Sequence, residues 1–142
     1  MNQRKIVETT LAPPAIGPYS QAVIAQGFLY MSGQLGIDPA TGAMVESGRE
    51  EQFEQIFKNA GHILEAAGCG FKDVVKCTGF LTDMDDFPLF NKVYSRYFQL
   101  PYPARSVFEV SALPKKGAFA ELELVAKMTD NLVFGMSVQS LF

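Results

Sequence analysis

The chain has 142 residues and a net charge of −3, and 48% of its residues are hydrophobic while only 19% are charged. This length predicts one domain, residues 1–142, that buries about two-thirds of its unfolded surface and folds without disulfides. The acidic balance, without any dense block of Lys or Arg, disfavours nucleic acid as the main partner. The apolar surplus, which includes 12 Phe, favours a homo-oligomer that hides part of the surface.

The sequence does not indicate a metal-binding, membrane or secreted protein. Cys69 and Cys77 are too few and too poorly spaced for a zinc site or a disulfide framework, so both are expected to be reduced thiols. The first residues, MNQRKIVETT, lack the apolar segment of a secretory leader, and no window approaches the roughly 20 apolar residues of a membrane span. We therefore expect a soluble, cytoplasmic protein with no membrane partner and no metal.

The first third of the chain predicts strands and turns. Residues 4–8 (RKIVE) are a candidate first strand, and APPAIGPYS, with its prolines and glycine, is a loop. AVIAQGFLYMSG predicts a hairpin that turns at Gln26 and Gly27. The following IDPATGAMV is typical of a turn-rich connection.

A long amphipathic helix comes next. Ser47 with Glu50 three residues later is typical of a capping box at a helix start. Apolar residues then recur at helical spacing from Phe53 to Ala67, and Gly68 ends the pattern.

The second half of the chain alternates strands with one further helix. DVVKCTGFL predicts a strand, and DDFPLFNKVYSRYF predicts a helix with Pro88 in its first turn. PARSVFEV and FAELELVAKM predict the last two strands. This order of elements favours an α+β fold, a mixed β-sheet with both helices packed on one face, and neighbouring subunits could cover the other face.

An arginine interrupts a stretch that otherwise predicts a buried strand, PYPARSVFEV. Pro101 and Pro103 hold its entry extended. With a two-residue period, Arg105 shares one face with Val107 and Glu109. On this stretch alone, a surface arginine at the mouth of an edge strand is the favoured explanation, because arginines are mostly exposed.

Two carboxylates mark the last strand. In FAELELVAK, Glu121 and Glu123 share a face with Phe119, while alternate aliphatic residues form the other face. Both glutamates are therefore predicted to point away from the helices. They could be ordinary solvated carboxylates or part of a site.

The remaining polar features are weak signals taken singly. Tyr19 lies in the constrained loop GPYSQAV, which a plain turn would also explain, and Ser32 and Gly33 lie at a strand end in MSGQL. His62, the only histidine, lies off the apolar stripe and is expected to be a solvated helix residue rather than a catalytic base. No phosphate-binding glycine loop, GxGxxG or HExxH motif is present, so an enzyme here would use Arg, Glu, Tyr, Ser and backbone groups without a cofactor.

Four ordered segments resemble one known family: GPYSQAV, SGQLGIDPATGAM, DVVKCTGFLTDMDDFPLFNKVYSRYF and PARSVFEVSALPKKGAFAELELVA. They resemble the reactive intermediate deaminase (RidA) family, also called the YjgF family, over about residues 6–127, with PARS as the most specific motif. The resemblance implies a fold similar to a chorismate mutase subunit, assembled as a homotrimer with a cleft at each subunit interface. It also implies hydrolysis of reactive enamines and imines, such as 2-aminoacrylate, to 2-keto acids and ammonia. Pyridoxal-phosphate dehydratases release these compounds from serine or threonine.

The resemblance also implies a set of site residues. Arg105 matches the arginine that binds the substrate carboxylate, and Glu121 matches the first glutamate of the final strand, allowing one extra residue before it. Tyr19, Ser32 and Asn91 match the tyrosine of GPY, the serine of SGQ and the asparagine after DF. Arg105, Glu121 and Tyr19 are the expected catalytic residues, and Ser32 and Asn91 join Arg105 and Tyr19 in binding substrate. An imine is already an activated electrophile, so its hydrolysis needs only a held substrate, an aimed water and a route for protons.

This sequence departs from the family pattern in two places. Many members have a cysteine two residues after the arginine, where this chain has Val107, so thiol-dependent behaviour is not carried over through this position. The segment TDNLVFGMSVQSLF, at about residues 129–142, is a C-terminal extension beyond the usual family end.

Two other functions remain open on the sequence alone. Family members have been labelled translation inhibitors or endoribonucleases, and Arg105 with Glu121 could bind phosphate and move a proton. The acidic balance and the lack of a basic, aromatic groove argue against nucleic acid. The other alternative is a non-catalytic module that binds a small carboxylate at the subunit interface.

Overall fold

The computed structural model describes residues 3–128. The strands are β1 (Lys5–Val7), β2 (Ala22–Ala25), β3 (Phe28–Gln34), β4 (Ile37–Asp38), β5 (Ala43–Met44), β6 (Val74–Leu81), β7 (Ala104–Glu109) and β8 (Ala120–Lys127). The helices are α1 (Arg49–Ala66) and α2 (Phe87–Tyr94), and short 3₁₀ turns at Phe71–Asp73 and Met84–Asp86 precede β6 and α2. The extension predicted at about residues 129–142 lies outside the described residues.

Six strands form one mixed sheet in the order β1-β2-β3-β8-β6-β7, while β4 and β5 form a separate small hairpin. All neighbours in the large sheet are antiparallel except β6 and β7, which are parallel. Parallel strands need a crossover connection, and α2 lies in the one between β6 and β7. The predicted α+β fold, with a mixed sheet and two helices, is confirmed. In the described part of the chain, β7 ends the sheet as an edge strand.

The core lies between the helices and one face of the sheet. Its largest fully buried side chains include Phe53, Ile56, Phe57 and Ile63 of α1, Phe90 and Val93 of α2, and Leu29, Leu81 and Leu122 of the strands. Burying one such side chain stabilises a fold by about 1.5–3 kcal/mol. The alternation along β8 follows the sequence prediction: its aliphatic residues face this core, and the glutamates lie on the opposite side, called the open face below.

The ends of α1 match the sequence prediction at one terminus only. The capping box predicted from Ser47 and Glu50 is wrong, because the helix begins at Arg49 with Gly48 as its N-cap and no side-chain cap bond. The Glu51 side chain folds back over Gly48, where a Cβ would lie 2.2 Å from its Oε1. The predicted stop at Gly68 is confirmed.

Gly68 adopts φ +80° at the end of α1. Its N–H donates to the Glu65 carbonyl, and the Cys69 N–H donates to the Leu64 carbonyl. These two bonds form the Schellman arrangement that glycine favours. At the other predicted turn, Gln26 and Gly27 both have positive φ and join β2 to β3 in a two-residue hairpin.

One buried glutamine ties three segments together. Gln52 of α1 has no exposed surface, and its Nε2 donates to the carbonyls of Val45 and Gly117 at 3.1 and 3.0 Å. Its Oε1 accepts a hydrogen bond from the Phe119 N–H at 2.6 Å. These bonds fix the start of β8, and so the position of Glu121, relative to α1.

Candidate functional site

Arg105 lies on the helix side of the edge strand β7. Its register partner on β6 is Cys77, which is fully buried against the helices. The side chain is half-buried, and its Cζ atom lies 4.6 Å from the ring centroid of Tyr94 and 5.6 Å from that of Phe87. Both rings belong to the α2 segment, so the guanidinium rests against that helix rather than pointing into open solvent.

The Arg105 guanidinium has no polar partner within residues 3–128. No carboxylate of that range lies within ion-pair distance of it, and no group there accepts a hydrogen bond from it. A guanidinium carries five N–H donors in a planar fork that matches a carboxylate. Such a group can bind a small carboxylate through two parallel hydrogen bonds.

Asn91 lies on the side of α2 that faces this arginine. Phe87, Asn91 and Tyr94 are spaced at i, i+4 and i+7, so they share one side of α2, and the rings of the outer two contact Arg105. The Oδ1 of Asn91 and the hydroxyl of Tyr94 are buried without a hydrogen-bond partner in the described residues. An unpaired buried polar atom costs about 1–3 kcal/mol. The Asn91 oxygen is therefore a buried acceptor that the described residues leave unpaired.

Tyr19 and Ser32 lie together in a second group. The Ser32 hydroxyl donates to the Ser20 carbonyl at 2.6 Å, and the Ser32 N–H donates to the Gln21 carbonyl at 3.0 Å. These bonds hold the GPYS loop against β3. Tyr19 is half-exposed and lines a cavity of about 400 Å³ together with Ser32.

Glu121 belongs with this second group, on the open face as predicted. Its carboxylate lies against Gly33, the neighbour of Ser32, where an added Cβ would be 2.3 Å from Oε2. Burial raises the pKa of Glu121 above its ordinary value, and the negative charge of Glu123 raises it further. A carboxylate with a raised pKa takes and returns a proton more readily near neutral pH than an ordinary one.

The two groups lie on opposite faces of the sheet. Glu121, Phe80 and Phe108 form one row across β8, β6 and β7, and Arg105 lies three residues before Phe108. Glu121 lies two strands away from Arg105 and three residues further along the strand direction, so their Cα atoms are about 14 Å apart. Their side chains point to opposite faces of the sheet. One chain therefore places Arg105 and Asn91 on one side of the sheet, and Tyr19, Ser32 and Glu121 on the other, so it does not bring the two groups to one small molecule.

Sequence reasoning missed the aromatic surroundings of Arg105. Tyr94 and Phe87 look like ordinary core residues of an amphipathic helix, although their spacing with Asn91 places all three on one side of it. Burial raises the pKa of the neighbouring Cys77 thiol to about 11, and that of the Tyr94 hydroxyl is also raised by burial. His62 is 42% exposed and lies beside Glu65, in keeping with the solvated residue predicted.

Among residues 3–128 there is neither a metal-binding cluster nor a membrane-spanning helix. In the part of the chain that the structure describes, no group of three His, Cys, Asp or Glu side chains could hold a metal ion. No helix of that part is long and apolar enough to cross a membrane.

Known proteins resemble this chain in both sequence and fold. A 2-iminobutanoate/2-iminopropanoate deaminase of Bos taurus is 52% identical over 123 residues, which cover 87% of this chain and 89% of the bovine one. RidA from an Antarctic Psychrobacter matches with a TM-score of 0.83 and 44% identity, over 87% of this chain and 99% of that one. E. coli TdcF, in a crystal structure with bound serine, matches with a TM-score of 0.82 and 38% identity, over 88% of this chain and 98% of the other. These likenesses confirm the predicted resemblance to RidA proteins. Because residues 9–128 also match the family described as Endoribonuclease L-PSP, the chain belongs to that family.

Proposed function

We propose that this protein hydrolyses reactive 2-imino and 2-enamino acids, such as 2-aminoacrylate, to 2-keto acids and ammonia. The observation that carries the proposal is the Arg105 guanidinium, half-buried against two rings and without a polar partner among the described residues. Mammalian relatives that are 49–52% identical are named 2-iminobutanoate/2-iminopropanoate deaminases. Their named substrates combine a carboxylate with a C=N bond.

In this proposal, Arg105 binds the carboxylate of the substrate and Asn91 binds its nitrogen. The guanidinium fork takes the carboxylate through two hydrogen bonds, which fix its direction as well as its place. The unpaired Oδ1 of Asn91 accepts a hydrogen bond from the imine or enamine nitrogen. Holding both groups turns the carbon between them toward one side of the cleft, where water can attack it.

The reaction needs one water and a path for protons. An enamine first takes a proton at its terminal carbon and becomes the imine. Water then adds to the imine carbon, and one of its protons passes to nitrogen. The second proton moves from the new hydroxyl to nitrogen as the C–N bond breaks, which leaves a 2-keto acid and ammonia. Glu121 is the proposed group that orients this water and takes its proton, since its pKa is raised and it has no ion-pair partner in the described residues. Tyr19 and Ser32 shape the wall beside it.

A second copy of the chain completes the proposed site. A small imino acid cannot span the roughly 14 Å and the sheet that separate Arg105 from Glu121 in one chain. We therefore place Arg105 and Asn91 of one copy opposite Glu121 of the next, in a homotrimer with three equal clefts. Exposed apolar side chains on the open face, including Ile6 at 50% and Phe108 at 52%, support contacts between copies. A head-to-tail contact of this kind closes into a ring of three when each copy is rotated by a third of a turn relative to the last.

Mixing two inactive variants tests the shared site. Arg105→Ala and Glu121→Gln chains are unfolded together, refolded at equal amounts and assayed against each variant refolded alone. About a quarter of the interfaces in random trimers then join an intact Arg105 to an intact Glu121, so about a quarter of wild-type activity returns. If no activity returns in mixtures in which subunit exchange is shown, then Arg105 and Glu121 do not act together in a site between two copies.

The experiment that tests the reaction couples a serine or threonine dehydratase to this protein and follows keto-acid release. Wild type is expected to accelerate release. Arg105→Lys should lose about tenfold or more in kcat/KM, because an ammonium cannot reproduce the planar fork. Arg96→Lys is the matched control, since Arg96 pairs with Glu50 and Glu54 on the helices, and it should retain full activity.

Other outcomes of this assay would redirect the assignment. No acceleration by wild type, with a keto acid still bound, would favour the non-catalytic carboxylate-binding module. RNA cleavage that copurifies with the protein and is lost in Arg105→Ala would favour an endoribonuclease.

We also propose the cytoplasm as the location, because the buried free thiol of Cys77 is usual in a reducing compartment.

A further inference from the structure

The side chain of Arg105 needs something to hold it in place. It extends from an edge strand, and within residues 3–128 it has neither an ion pair nor a hydrogen bond to fix its guanidinium. A long side chain that moves freely must give up many rotamers when a ligand binds, which weakens binding. The contacts that can restrict it here are the two rings of the α2 segment.

Of these two rings, that of Tyr94 is the closer and the more rigid. The Arg105 Cζ lies 4.6 Å from its centroid, against 5.6 Å for Phe87, which is only half-buried. Tyr94 is 6% exposed, and its ring stacks on Phe98 at 4.4 Å and meets Phe57 edge-on at 5.9 Å. The Tyr94 ring therefore cannot follow the guanidinium and instead fixes it relative to the core.

The hydroxyl of Tyr94 plays no visible part in this contact. It is buried beside the Cys77 thiol, the pair does not reach ordinary hydrogen-bond geometry, and no other described group pairs with it. An unpaired buried hydroxyl destabilises a fold, and phenylalanine would avoid that cost. The ring and the hydroxyl of Tyr94 can therefore be tested separately.

We infer that Tyr94 is a positioning residue for Arg105. Its ring holds the guanidinium flat, with the N–H edge free for a carboxylate, and Tyr94 itself does not touch the substrate. This inference rests on the proposed function only in taking a carboxylate as the ligand of Arg105. A cation held over an aromatic face in a partly desolvated place contributes enough that losing the ring weakens binding about tenfold.

Binding of 2-oxobutanoate, an expected product, tests the inference without turnover. Calorimetry compares wild type with Tyr94→Leu, Tyr94→Phe and the control Phe53→Leu, which truncates an equally buried ring that contacts neither Tyr94 nor Arg105. We expect Tyr94→Leu to raise Kd about tenfold, and the other two variants to stay within about twofold of wild type. In the coupled assay, the same Tyr94→Leu change should raise KM and leave kcat nearly unchanged.

Three results would overturn the inference. Wild-type affinity in Tyr94→Leu would show that the ring does not hold the arginine. An equal loss in Phe53→Leu would mean general loosening of the core. A tenfold loss in Tyr94→Phe would mean that the hydroxyl, not the ring, is the group that matters.

A second measurement needs no carboxylate ligand, so it separates this inference from the proposed function. Phenylglyoxal modifies arginine, and peptide mapping gives the rate at Arg105 itself. A guanidinium held against the Tyr94 ring should react several-fold more slowly in wild type than in Tyr94→Leu, with Phe53→Leu again like wild type. Equal rates in all three proteins would refute the positioning role even if no keto acid binds.

Discussion

Replacing Gly33 with alanine should impair the chemistry while leaving the fold nearly as stable. The new Cβ would lie 2.3 Å from Oε2 of Glu121, 2.6 Å from its Cδ and 2.9 Å from its Cγ. Ordinary contacts between such atoms begin near 3.5 Å, so the carboxylate must retreat by about 1 Å or more. Gly33 is not among the glycines with positive φ, so alanine fits its backbone.

Gly33→Ala should change the free energy of unfolding little but slow the reaction strongly. Alanine in a strand is favoured over glycine by roughly 0.5–1 kcal/mol, and a shifted rotamer of Glu121 costs about 0.5–1.5 kcal/mol. The net change in the free energy of unfolding should thus stay within about 1 kcal/mol. A displacement of 1 Å in a catalytic group can cost about a hundredfold in rate. We expect kcat/KM to fall by about 10- to 100-fold.

The dehydratase-coupled assay and a thermal melt, run on the same preparations, test this prediction. Gly70→Ala is the matched control, because its backbone is extended and nothing lies within 4 Å of the added Cβ. Glu121→Gln supplies the reference for loss of the carboxylate. A folded Gly33→Ala protein with wild-type kcat/KM would show that the position of Glu121 is immaterial to the reaction.

Two further predictions concern stability. Gln52→Ala leaves the Phe119 N–H and two carbonyls without their partner, so it should lower the free energy of unfolding by about 3 kcal/mol or more. Urea unfolding measures this loss, with the exposed Gln99→Ala as control. Equal urea midpoints for the two variants would contradict the hydrogen bonds described for Gln52. Burial raises the pKa of Glu121 above its ordinary 4.5, so the ionised form costs stability at neutral pH, and that stability returns as the pH falls through the raised pKa. Glu121→Gln should therefore raise the urea midpoint at pH 7, with a smaller difference at pH 4, and a lower midpoint at pH 7 would refute this reasoning.

Local patterns predicted most of the elements, because each reports on its own segment. The two-residue period of β8 placed Glu121 on the open face, and the positive φ needed at Gly68 marked the end of α1. The prediction of the helix start was wrong because two residues suited to an N-cap, Ser47 and Gly48, are each followed three positions later by a glutamate. The glycine at position 48, not Ser47, is the cap, and Glu51 rather than Glu50 folds back over it.

The arrangement of the candidate site could not be predicted from such patterns. Periodicity assigns Arg105 to one face of its own strand, but its relation to Glu121 depends on which strands lie between them. That order is set by packing across the whole sheet. The contact of Tyr94 with Arg105 is likewise non-local, because it joins a helix to the edge strand that follows it.

The position of β8 governs when this protein can fold during synthesis. The strand is the last described in the sequence, yet it lies in the middle of the sheet, between β3 and β6. A nascent chain that stops before Ala120 has two separate strand groups whose facing edges are unpaired and open to association with other chains. The ribosome must therefore release the chain through β8 before the sheet closes, and non-local pairing of this kind slows folding. A shortened chain that ends before β8 should consequently aggregate rather than form a smaller domain.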